Sequence, residues 1–165
     1  MIKVYHGTSL KNANNILNNG IKLNAGRPEA DFGLGFYTTK NFEQANIWAK
    51  KKAKRSLSEA AVVAFYCNEE LLNGFSFNGK TKEWSDYIID NRANGTDRYT
   101  NYDYIEGDMA DGNIYIDTRE YRAGRITKEQ YIKRFSKDIG TQIAFKTSKG
   151  INSLKYGHIV EMEDD

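Results

Sequence analysis

A chain of 165 residues, 39% of them hydrophobic and 28% charged, can close one hydrophobic core but is too short for two ordinary domains, so residues 1–165 read as a single unit. A formal net charge of +2 argues against a broadly basic nucleic-acid surface. A lone cysteine, Cys67, excludes an internal disulfide and a cysteine zinc cluster, and no metal site is expected.

Ile2 to Tyr5 reads as a first strand, and Ser9 to Asn19 as a helix with the apolar stripe Leu10, Ala13, Ile16 and Leu17, closed by Gly20. The stretch from Asn24 to Gly35 is long, glycine-bearing and polar, so it is expected to arch over something. Phe36 to Thr39 follows as a short strand. Asn41 then opens a helix, with Gln44 three residues on in the capping-box position and Phe42, Ala45, Trp48 and Ala49 inward. The run Lys50-Lys51-Lys52-Ala53-Lys54-Arg55 is the wet face of that helix.

The continuous apolar run from Ala60 to Cys67 is a buried strand, which makes Cys67 a poor candidate for a catalytic thiol. Lys82 to Asn94 reads as a helix with Trp84, Tyr87 and Ile88 inward, and Tyr102 to Glu106 as a strand. Thr127 and Gln130 form a capping box for a helix that buries Tyr131, Ile132 and Phe135. Gln142 to Lys146 is a strand, Ser148 to Lys155 a short helix, and His158 to Met162 a last strand. The strands alternate with helices, without the regular spacing of a doubly wound sheet. The expected class is α+β, two small, mostly antiparallel β-sheets around a cleft with flanking helices.

The start of the chain carries no apolar leader, and no stretch approaches the ~20 apolar residues of a membrane span. A cytoplasmic protein is expected, or an effector delivered without a signal peptide, with no membrane partner.

Two motifs concentrate the chemistry: Tyr5-His6-Gly7-Thr8-Ser9, and Asp31-Phe32-Gly33-Leu34-Gly35-Phe36-Tyr37-Thr38-Thr39. His6 alone reads first as an ordinary core or strand-end histidine, and Tyr37 is one of 11 tyrosines. What sets them apart is that each lies beside glycine at a strand end, where a flat amide can approach bare backbone and a ring can stack on its face.

These residues resemble a family. Tyr5-His6-Gly7-Thr8 and Gly35-Phe36-Tyr37-Thr38-Thr39 resemble the first two motifs of ADP-ribosyltransferases of the diphtheria-toxin and poly(ADP-ribose)-polymerase type. The chain as a whole is similar to a bacterial family with a His-Tyr-Asp signature placed in that superfamily. The resemblance implies a cleft for NAD as co-substrate between two sheets. It implies that the Gly7 backbone holds the carboxamide, His6 the ribose hydroxyls with help from Thr8 or Ser9, and Tyr37 beside Phe36 the nicotinamide ring. It also implies loss of nicotinamide and transfer of ADP-ribose to an acceptor. Protein, nucleic acid, small molecule and water all stay open for that acceptor, and an antitoxin or immunity protein is a partner the family leads one to expect.

Where efficient members of the superfamily carry a glutamate, this chain has Gln142, a neutral acceptor. Asp111, in the acidic segment Glu106 to Asp111, is the residue expected to supply negative charge instead. Arg92, or Arg27 in the long loop, is expected to hold the pyrophosphate. Two other functions stay open: a module that binds NAD or ADP-ribose without turnover, and a small ribonuclease-like toxin that uses His6 as acid or base.

Overall fold

Alternation along the first strand separates two duties. The computed structural model describes residues 1–161, and its β1 (Ile2–Ser9) turns Val4, His6 and Thr8 to one face and Tyr5 and Gly7 to the other. β1 pairs antiparallel with β3 (Ala60–Cys67), which pairs antiparallel with β7 (Lys155–Val160), giving one three-stranded sheet. The second sheet has the order β2 (Phe36–Thr38), β6 (Thr141–Phe145), β5 (Tyr104–Asp108), β4 (Gly74–Ser76). All its pairings are antiparallel except β4 with β5. The protein is therefore α+β with two mostly antiparallel sheets, and six α-helices lie among the described residues.

A single backbone bridge joins the two sheets. Tyr5 N–H donates to Thr39 O at 2.8 Å and Thr39 N–H donates to Tyr5 O at 2.9 Å, so His6 falls beside the end of β2. Between the sheets lies a core of Val4, Val63, Phe65, Phe36, Ile143 and Phe145, covered at one side by Ala13 of α1 (Leu10–Asn19). Beyond the second sheet, Ile105 and Ala144 pack on Trp84, Tyr87 and Ile88 of α3 (Lys82–Asn94) and on Tyr131 and Phe135 of α5 (Lys128–Phe135). Beyond the first, Ala45 and Ala49 of α2 (Phe42–Ser56) meet Val62. β3 is thus buried on both faces, the physical reason its sequence is apolar without alternation.

Several boundaries differ from the sequence reading. β1 continues through Gly7 and Thr8 to Ser9, whose side chain caps α1 by accepting from Asn12 N–H at 3.2 Å. The capping box at Thr127 and Gln130 forms fully. At Asn41 only half of one forms, because the Gln44 side chain donates instead to Ile139 O. Trp48, expected in the core, is only partly buried, whereas Trp84 is fully buried. β4 and α4 (Ile114–Arg122) were not legible: one has three residues, and the other has charge spread around its surface. α6 (Ser148–Asn152) ends before Lys155, which begins β7, and the expected strand end at Met162 lies outside the described residues.

Candidate functional site

A cavity of about 330 Å³ opens beside the bridge between the sheets, lined by His6, Thr8, Phe36 and Tyr37 and walled by Asn12, Asn15 and Ile16 of α1. Ala25 and Gly26 of the long loop close it on one side, and Lys22 and Lys52 bring positive charge to the rim. The imidazole stacks on Phe36, with ring centres 4.2 Å apart. Its Nδ1 lies 2.7 Å from the Tyr37 carbonyl oxygen, and because a carbonyl can only accept, Nδ1 carries the proton. Desolvation, reinforced by the Lys52 charge and opposed by that hydrogen bond, lowers the His6 pKa to about 3. The ring is therefore neutral, and its second nitrogen, Nε2, offers a lone pair and no proton.

Tyr37 lines the same cavity, but its hydroxyl is committed elsewhere. It accepts from Phe32 N–H at 2.9 Å and donates to Gly33 O at 2.6 Å, while the ring packs toward the core around Trp84. Burial, followed by the Asp31 charge, holds the phenol well above its ordinary pKa, so it stays protonated. Around that hydroxyl the loop is pinned: Lys146 Nζ donates to Phe32 O and Leu34 O, Tyr87 donates to Phe32 O, and Asn91 donates to Asp31 O. None of these clamps could be read in sequence, since each partner lies more than 50 residues from the loop.

The remaining expected residues do not join this cavity. Gly7 is buried under α2, where an added Cβ would run into the Ala45 carbonyl and come within 2.9 Å of Ala49 N. Its glycine serves a close helix approach, and its backbone is not presented to the cavity. Ser9 is occupied as a cap. Gln142 is 3% exposed, opposite Gly107 in the second sheet and on the Ala144 face. Asp111 is partly buried near α5, its N–H donating to Phe135 O. Arg27 and Arg92 line a different cavity, of about 830 Å³, together with Arg119 and Arg122 of α4. Arg92 sits there because Asp31 holds it bidentately, Nε to Oδ1 at 2.6 Å and Nη2 to Oδ2 at 3.2 Å.

The two sheets, the bridge between them and the flanking helices define an α+β domain. A family model described as "Protein of unknown function (DUF3990)" matches residues 2–156, and the chain belongs to that family. No curated protein and no solved structure matches it.

Proposed function

We propose that the His6 cavity binds NAD and that the protein is a mono-ADP-ribosyltransferase. In the proposed reaction nicotinamide leaves with the electron pair of its bond to the ribose C1′. A nucleophile of the acceptor then bonds to C1′ and gives up its proton. The observation that carries this reading is the His6 Nδ1–H to Tyr37 carbonyl hydrogen bond. It locks the two motif strands together and leaves Nε2 as a fixed acceptor, the polarity a ribose hydroxyl needs. Lys22 and Lys52 suit a diphosphate, and the Asn12 and Asn15 amides beside Ile16 suit a base. The volume lies at the lower end of the range for small-molecule sites, about 300–1,000 Å³, room for a nucleoside portion of NAD.

One feature of the lining favours a second reading, binding without turnover: among the described residues no Asp or Glu side chain lines the His6 cavity. A carboxylate near the ribose would stabilise the positive charge that develops as nicotinamide departs. The ribonuclease reading is weakened by His6 itself: with a pKa of about 3 it is not an imidazolium at neutral pH, its one proton is held on Nδ1 by the Tyr37 carbonyl, and Nε2 is a weak base.

Calorimetry with NAD, followed by a nicotinamide-release assay, separates these readings. Binding with release supports the transferase, binding without release supports the module, and absence of binding overturns both. Incubating a lysate with labelled NAD and the protein, then treating it with protease or nuclease, identifies the class of acceptor.

A further inference from the structure

The long loop closes the His6 cavity with Ala25 and Gly26, then turns Arg27, Glu29 and Ala30 into the larger cavity, whose opposite wall is α4. Among the described residues Arg27, Arg92, Arg119 and Arg122 line it with Glu29, and Asp31 neutralises Arg92 from behind, so positive charge stays in excess. Such an excess of one charge in a concave site raises the local potential toward anions. Arg119 and Arg122 stand three apart on one helix face, and neither they nor Arg27 makes an ion pair with a described residue. Arg27 instead lies over the Tyr115 ring, 5.4 Å from its centre, and Tyr115 is 67% exposed at the cavity wall.

Arg92 adds a fixed charge to the same wall. It is 3% exposed, fixed by Asp31, and donates from Nη2 to Asp111 O at 3.3 Å. Nη1, by contrast, is buried and has no hydrogen-bond partner among the described residues. The guanidinium is held instead by the Asp31 carboxylate and over the Phe135 ring, 5.1 Å from its centre, which fixes its positive charge at the wall of the cavity. The cations are all arginine, whose planar fork matches the oxygens of a phosphate, and Ile114 and Tyr115 add apolar surface for an organic body.

We propose that this cavity binds a small phosphate ester, its oxygens held by Arg27, Arg119 and Arg122, with the anchored Arg92 as a fixed cation behind them. The site is separate from the His6 cavity and stands whether or not NAD binds there.

Calorimetry at constant ionic strength with inorganic phosphate and with phenyl phosphate tests it. Phenyl phosphate is expected to bind at least threefold tighter than inorganic phosphate. The Arg119→Ala/Arg122→Ala double variant is expected to weaken phenyl phosphate tenfold or more, Arg27→Ala severalfold, and His6→Ala not at all. These arginines are exposed, so the fold survives their removal, and circular dichroism checks that it does. Three results would overturn the proposal: no binding of either probe at millimolar concentration, equal binding of both, or a loss in His6→Ala matching that of the double variant.

Discussion

His6 is neutral because burial and the Lys52 charge penalise its cation more than the Tyr37 carbonyl supports it. An unfolded histidine takes up a proton near its usual pKa of about 6.5, whereas the folded one refuses it until about pH 3. Its contribution to stability is thus complete above about pH 6.5 and is lost as pH falls toward 3, by at most about 1.4 kcal/mol per pH unit. Urea midpoints at pH 7.5 and 5.5 are expected to drop more for the native chain than for His6→Gln; equal drops would place the titration elsewhere. NAD affinity, in turn, is expected to stay flat between pH 8 and 5.5, which calorimetry reads directly. Tyr37 gives a second prediction. A purely stacking tyrosine would be replaced by phenylalanine with little loss, but here the hydroxyl serves Phe32 N–H and Gly33 O. Tyr37→Phe is therefore expected to destabilise the fold by about 1–3 kcal/mol in denaturant titrations, while a retained ring keeps any stacking on a ligand.

At the scale of elements, β1 must lie almost in contact with α2, and Gly7 is the residue that allows it. Gly7→Ala drives a methyl group into backbone that cannot step aside, and is expected to lower stability by about 3 kcal/mol or more, or to leave the protein insoluble. A denaturant titration checks this, and a near-neutral result would show that α2 is free to shift. Asp31 and Arg92 tie the long loop to α3 by a buried pair. Asp31→Ala should cost about 3–5 kcal/mol because it strands the guanidinium. These elements also show what was legible in sequence. The inward face of α3 and the capping box of α5 were readable because an apolar stripe and a Thr cap with Gln three residues on are local signals. His6 and Tyr37 line one cavity as the two motifs led one to expect, although both lie within their strands and not at strand ends, since β1 runs on to Ser9 and β2 is centred on Tyr37. The division of the arginines from His6 was not readable. Arg92 faces its cavity through a pairing with Asp31, 61 residues away, and the inward face of α4, Ile114, Thr118 and Tyr121, is short and interrupted by charge.

The whole molecule is layered: α2, the three-stranded sheet, the shared core, the four-stranded sheet, then α3 and α5. One loop serves both cavities, and its two halves are held very differently. From Asp31 to Leu34 it is clamped by Arg92, Asn91, Tyr37, Tyr87 and Lys146. From Asn24 to Ala30 its backbone hydrogen bonds are local turn contacts, Ala25 N–H to Lys22 O at 3.2 Å, Gly26 N–H to Leu23 O at 3.3 Å and Ala30 N–H to Arg27 O at 3.2 Å. Amides in the loosely held half open with little free energy and should exchange with deuterium quickly, whereas Phe32 N–H, held by the Tyr37 hydroxyl, should exchange slowly. NAD in the His6 cavity would touch the wall at Ala25 and Gly26 and slow exchange across Asn24–Ala30, leaving the clamped half unchanged. Phenyl phosphate in the arginine cavity would slow the same amides from the other side through Arg27. Since both ligands order one segment, each is expected to tighten the other, and linkage requires the two factors to be equal. Hydrogen exchange with each ligand, followed by calorimetry of each in the presence of the other, reads both effects. Slowing confined to residues outside Asn24–Ala30 would show that the loop is not the wall the two ligands share.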